Sequence, residues 1–262
     1  MLSKELLSYY RQVSQQTLTV VDVETTGSIA TANRITEISV LQATLVEGVL
    51  HQQTDLINPE TPIPEKIVQF TGITQEMVNQ APVAADVLPS YLPLLSEGVL
   101  TAHNLEFDYP FLRAEFARMG KAFIRPEDQQ LCTVQLSRLM LPDLPSRSLP
   151  NLVRYFQFKV GKSHRAEADT LACWLLAERL LTEIVNEPDE LLLARFAKQR
   201  IPLKYVAKLL GCSSKTAQSR LEAAGIHSRK VGRGRDVTTM YQRGEVEQFF
   251  YDQQGDSQLS ML

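Results

Sequence analysis

The chain has 262 residues, 44% of them hydrophobic, and a formal net charge of −3, which is enough apolar content for one sizeable core and a second small one. Its opening MLSKELLSYYRQ lacks the apolar stretch of a secretory leader, and no run reaches the roughly 18 apolar residues of a membrane span, so no membrane association and a cytoplasmic location are expected. Cys132, Cys173 and Cys212 lie far apart without metal-site spacing, and Cys173, on a helical apolar face, reads as a core residue.

The charge is unevenly divided. Residues 1–190 carry 15 Lys+Arg against 24 Asp+Glu, net −9, whereas residues 191–262 carry 12 against 6, net +6. An acidic body and a basic tail point to two domains with different tasks, 1–187 and 191–262.

In chain order, LTVVDV at 18–23 is a short β-branched run that predicts a buried strand. Residues 35–46 and 49–57, with Gly48 between them, predict a hairpin that completes a three-stranded antiparallel meander. Pro59, Pro62 and Pro64 interrupt the pattern before a helix over 64–70 that Gly72 stops. A helix over 84–95, a strand over 99–103 and a helix over 107–119 follow, then a short strand at 130–133 that runs into a helix. Residues 149–156 and 166–184 are helical by period, the second burying Leu171, Trp174, Leu175 and Leu180. The expected fold is α/β: a mixed five-stranded sheet with helices on both faces.

Four acids and a histidine stand beside these core elements: Asp22 and Glu24 in VVDVETTG, Asp108 in HNLEFD, and His164 with Asp169 in HRAEAD. Asp22 and Glu24 are two apart, so on a strand they share one face. Clustered carboxylates raise one another's pKa, but around a cation they stay ionised and become ligands. Two metals about 4 Å apart can supply the charge that phosphodiester hydrolysis needs, and hard oxygen ligands favour Mg²⁺ or Mn²⁺ over Zn²⁺.

The three motifs, Asp22-Val23-Glu24-Thr25-Thr26-Gly27, His103-Asn104-Leu105-Glu106-Phe107-Asp108 and His164-Arg165-Ala166-Glu167-Ala168-Asp169, resemble in order and spacing those of the DEDDh subgroup of 3′ to 5′ exonucleases. That subgroup includes the proofreading subunit of the bacterial replicative polymerase. Arg34-Ile35-Thr36-Glu37-Ile38, Phe70-Thr71-Gly72-Ile73-Thr74 and Leu149 with Leu152 are also family-like, and the resemblance spans roughly 17–182. It implies a ribonuclease H-like fold and removal of nucleoside 5′-monophosphates from 3′ ends, in proofreading or DNA repair. It also implies that Asp22 bridges two ions, Glu24 and Asp169 complete one site, Asp108 holds the second ion largely through water, and His164 is the general base. Thr25, Thr26 and Gly27 would meet the terminal 3′-hydroxyl or a phosphate through free backbone N–H groups, and Asn104 and Phe107 the last nucleotide. His103, at a buried strand end, belongs to the same substrate-facing group by motif but reads better as a hydrogen-bonded support. Two departures stand out: Cys132-Thr133 replaces an aspartate-threonine pair, and the loop 28–33 lacks the usual acid before Arg34.

In the tail, 191–198 is helical by spacing, Ile201-Pro202 opens a helix over 203–210, and Ser213-Ser214 caps a third through Ala223. Basic residues Arg229, Lys230, Arg233 and Arg235 then fall on a glycine-containing hairpin before a closing helix at 245–251. The tail resembles the winged helix-turn-helix of excisionase-like and MerR-like proteins. That resemblance implies duplex binding through Ser214, Lys215, Gln218 and Arg220 on the recognition helix and the four basic residues of the wing. A helical tail docking a polymerase or repair protein through Phe249, Phe250 and Tyr251 is the competing expectation. DNA is expected as substrate ahead of RNA ends, and both ahead of a catalytically idle docking protein.

Overall fold

The computed structural model describes residues 1–161, 163–232 and 237–259, with side chains through 254. It separates into two compact units, one of Tyr10–Ser137 with Pro145–Val185, the other of Met1–Tyr9, Arg138–Leu144 and Asn186–Leu262. Relative to a boundary at 187, the division moves the first nine residues and a segment near 140 to the smaller unit.

The larger unit is built on a five-stranded sheet in the order β3-β2-β1-β4-β5, from β1 (Leu18–Thr25), β2 (Ile35–Thr44), β3 (Gly48–Leu56), β4 (Val99–Ala102) and β5 (Gln130–Cys132). β1, β2 and β3 pair antiparallel, whereas β4 and β5 join parallel to β1. This is the mixed α/β sheet expected of a ribonuclease H-like exonuclease. α1 (Ser3–Val13), α2 (Glu65–Thr71) and α3 (Gln75–Asn79) precede α4 (Ala84–Ser96), and α5 (Leu105–Arg118), α6 (Thr133–Met140), α7 (Leu149–Phe156) and α8 (Ala166–Asn186) follow.

Period-two alternation sets the two faces of the sheet. Val21, Val23, Ile38 and Val40 bury themselves in one cluster with Leu88 and Tyr91 of α4 and Phe111 and Phe116 of α5. Their strand neighbours turn the other way: Ser39 meets the Thr170 hydroxyl of α8 at 2.9 Å. Because Asp22 pairs with Ser39 and Glu24 with Glu37 across the β1–β2 ladder, both acids lie on the α8 face.

The smaller unit contains α9 (Asp189–Ala197), β6 (Arg200–Pro202), α10 (Leu203–Leu209), α11 (Ser214–Ala223), β7 (Arg229–Val231), β8 (Thr238–Gln242) and α12 (Arg243–Leu259). β6, absent from the sequence reading, makes the hairpin a three-stranded antiparallel sheet in the order β6-β8-β7. Gly211, at φ +62°, turns the chain between α10 and α11, and the Ser213 hydroxyl accepts from the Thr216 amide at 3.1 Å to cap α11. Val206, Ala217, Leu221, Tyr241 and Val246 form the core of this unit. Among the described residues, no helix is long and apolar enough to cross a membrane.

Candidate active site

Three elements bring the acids together. β1 carries Asp22 and Glu24 on its α8 face, α8 presents Asp169 one turn from its start, and Asp108 projects from the first turn of α5. The buried Asp108 carboxylate accepts from the Val23 amide at 3.2 Å, which ties α5 to β1 between the two other acids. One ligand atom each from Glu24, His164 and Asp169 lies within 4.8 Å of the others.

The electrostatics follow from crowding away from water. Burial pushes Glu24 up to about 8, with repulsion from Asp169 and Glu37 adding to it. Burial likewise lifts Asp108 to about 8, against the stabilising amides of Val23 and Asp108 itself. Asp22 is raised well above the usual carboxylate range by burial and then by Asp108, Asp169 and Glu24. Asp169 is raised by burial, opposed by the His164 amide and imidazole. Buried carboxylates that raise one another in this way fit a hard divalent cation, which would let them ionise.

His164 adopts φ 64°, a left-handed conformation costly for a residue with a side chain. Its amide donates to Asp169 Oδ2 at 2.9 Å, and its ring lies 3.8 Å, centroid to centroid, from the half-exposed ring of Phe70. Arg165, next in the chain, is held by Glu37: Arg165 Nη2 lies 2.6 Å from Oε1, and the Ala166 amide donates to Oε2 at 2.8 Å. Sequence reading gave Glu37, Arg165 and Phe70 no role. Glu37 and Arg165 are 128 positions apart, and only the packing of α8 against β2 brings them together.

The expected substrate-facing residues are distributed unevenly. The expectation of free amides fails at Thr26, whose N–H donates to Arg34 O at 2.9 Å while its hydroxyl accepts from the Arg34 amide at 3.0 Å. Thr25 donates its hydroxyl to Gly27 O at 2.6 Å. At Gly27 the Asn33 side chain packs close: a Cβ there would meet its Oδ1 at 2.7 Å and would have to push that side chain aside. Asn104 is exposed at the start of α5, and Phe107 is half-buried with its ring 5.0 Å from Phe111. Both ring nitrogens of His103 are taken, by the Thr133 hydroxyl and Arg147 O at 2.9 Å each, and burial holds its pKa down to about 4. His103 thus has no ring nitrogen free for a further hydrogen bond. Cys132 packs on the apolar core, so the polar group expected at that position is replaced by an apolar contact.

The loop 28–33 is fixed without the usual acid. Buried Glu115 of α5 accepts from Arg34 Nε at 2.9 Å and pairs with Arg118 at 3.1 Å, while Arg118 Nη2 donates to the carbonyls of Ala30, Thr31 and Asn33. No sequence motif marked Glu115.

In the smaller unit, Lys215, Arg229 and Lys230 are exposed, and Arg233 and Arg235 lie outside the described residues. Ser214 is exposed at the start of α11, and Gln218 donates to Glu222 at 2.9 Å. Arg220 is half-buried, its guanidinium 5.7 Å from the Phe249 ring centroid. Phe249 in turn packs on the core of the unit, which removes it from any exposed aromatic anchor.

A family profile described as exonuclease (RNase_T) matches residues 19–176. The chain belongs to this exonuclease family. Its three motifs place it in the DEDDh type. A Mycobacterium tuberculosis protein named as a bifunctional exonuclease/endonuclease is 34% identical over 220 residues, covering 81% of this chain and 33% of its own length. The PolC-type DNA polymerase III of Oceanobacillus iheyensis is 32% identical over 187 residues, covering 69% of this chain and 13% of the polymerase. The chain thus spans a third or less of the length of these curated relatives. Among solved structures, Exonuclease X in complex with 5′ overhanging duplex DNA superposes with a TM-score of 0.50 at 22% identity, covering 68% of this chain and 99% of that one. This likeness concerns the fold.

Proposed function

We propose that the protein is a metal-dependent 3′ to 5′ exonuclease acting on DNA and releasing nucleoside 5′-monophosphates. The convergence of Glu24, Asp169 and the His164 ring within 4.8 Å carries this reading, with Asp108 close enough to Asp22 to raise it. Asp22, Glu24, Asp108 and Asp169 would hold two Mg²⁺ or Mn²⁺ ions, which when bound supply positive charge to the phosphate and favour ionisation of water. His164 takes the proton from the attacking water. The water oxygen bonds to phosphorus, the bond from phosphorus to the preceding O3′ breaks, and that oxygen leaves and is protonated. Thr25, Gly27, Asn104 and Phe107 border the acids in sequence and are proposed to seat the last nucleotide, the Phe107 ring against its base.

The smaller unit is proposed to bind duplex DNA through α11 and the β7–β8 hairpin. Exposed Lys215, Arg229 and Lys230 support phosphate contacts, with Arg233 and Arg235 expected to join them. Gln218 and Arg220 of α11 complete the proposed set. Holding duplex on the same chain as the catalytic unit would raise the local concentration of ends.

The test is hydrolysis of matched 5′-labelled single strands of DNA and RNA with Mg²⁺, Mn²⁺ or EDTA. A ladder shortening from the 3′ end, faster on DNA and absent in EDTA, is expected. Shortening of RNA alone would make the protein an exoribonuclease, and no cleavage with either metal would leave a docking protein.

A further inference from the structure

Glu37 differs from the acids beside it. It lies opposite Glu24 in the β1–β2 ladder and is 1% exposed, yet both of its oxygens are engaged. Oε1 accepts from Arg165 Nη2 at 2.6 Å and Nε at 3.1 Å; Oε2 accepts from Arg165 Nε at 3.2 Å and the Ala166 amide at 2.8 Å. A carboxylate saturated by protein donors is poorly placed to hold a cation. It is well placed to hold a loop.

The loop is the one that carries His164. Ala166 opens α8, so Glu37 supplies from a distant strand the acceptor and negative charge that a helix start needs. His164 is thereby fixed from both sides: its own amide is tied to Asp169 Oδ2, and the next two residues are tied to Glu37. Such a double anchor is what keeps a non-glycine residue at φ 64°. We infer that Glu37, through Arg165 and Ala166, is a positioning residue that holds the His164 imidazole against Glu24 and Asp169. The inference rests on the proposed role of His164 in proton transfer.

Glu37→Gln tests it with little change of volume. The amide NH₂ must face either the guanidinium or the Ala166 N–H, so one donor loses its acceptor whichever way the side chain is turned. On single-stranded DNA with Mn²⁺, kcat is expected to fall by about tenfold or more, KM and calorimetric Mn²⁺ affinity staying within about twofold. In a His164→Gln background the same change should alter the residual rate by less than about twofold, because what Glu37 positions is gone. In the metal-free protein, amide exchange over 163–169 should accelerate by about fivefold or more. Should Glu37→Gln fail to fold, Arg165→Gln, at a side chain 40% exposed, is judged by the same readouts. A rate within about twofold of wild type, an equal loss with and without His164, weakened Mn²⁺ binding, or unchanged exchange would each overturn the inference. If wild type shows no metal-dependent hydrolysis, or His164→Gln leaves its rate intact, the functional reading fails and the inference with it. Failure of Glu37→Gln alone leaves that reading standing.

Discussion

A histidine at φ 64° whose amide is spent on Asp169 has one group left for chemistry, its ring. His164→Gln is therefore expected to lower the hydrolysis rate by about a hundredfold, within the usual range for a general base, while Mn²⁺ affinity measured by calorimetry stays close to wild type. A parallel loss of Mn²⁺ affinity would make His164 a ligand and reassign its role. The acids carry a second expectation. With Glu24 and Asp108 lifted to about 8, against about 4 in an unfolded chain, the folded metal-free protein binds more protons than the unfolded one between those values. These groups thus favour folding most at low pH, and their contribution is lost as pH rises toward about 8. Melting in chelator should fall from about pH 5.5 to about pH 8.5, Asp108→Asn should flatten the slope, and Mg²⁺ should restore the high-pH melt. A melt that rises over the same interval would contradict the crowding described at the site.

At the scale of elements, the strands and long helices were legible because each is an apolar run with a clear period. β1 reads directly from LTVVDV, and the alternation that buries Val21 and Val23 sends Asp22 and Glu24 to the opposite face. The three-residue β6 was illegible, since its pairing with β8 is made across the chain by register alone. α1 was read only for its lack of a leader, and the five residues of α3 are too short for periodicity. The clamps were hidden for a related reason. Glu115 looks like any acid in sequence, and Glu37, though it lies in a family-like stretch, shows no partner there; the arginines of both are assigned only once β2, α5 and α8 are packed. On the β7 strand, Arg229 and Lys230 are both exposed, and reversing both to Glu should weaken binding to long duplex DNA at about 50 mM salt much more than at about 200 mM. Equal affinity of variant and wild type at low salt would remove the hairpin from the DNA-binding surface and favour a protein-docking tail.

For the whole molecule, the assignment of Met1–Tyr9 to the smaller unit changes how its pieces can be tested. Ser3 donates its amide and hydroxyl to Glu247 Oε1 at 2.8 and 2.9 Å, and buried Arg243 binds the same oxygen at 2.9 Å and Met1 O at 3.2 Å. Deleting 191–262 would strip these partners from the first residues, so point variants are the cleaner probe of the tail. Glu247→Ala leaves Arg243 buried without its carboxylate and should destabilise the smaller unit by about 3 kcal/mol, the usual cost of breaking a buried pair. Denaturant unfolding followed by amide exchange in 186–254 would check this, and an unchanged midpoint would show that the network contributes nothing. The central claim is that the acids gathered on β1, α5 and α8 form one metal-dependent catalytic centre. It is tested most directly by the initial rate of nucleotide release from a DNA 3′ end by Asp22→Ala in saturating Mn²⁺, with a metal-free melt to verify folding. Loss of Asp22 is expected to lower the rate by several orders of magnitude while the melt holds or rises as repulsion is relieved; a folded Asp22→Ala protein that keeps more than about a tenth of the wild-type rate would contradict the account.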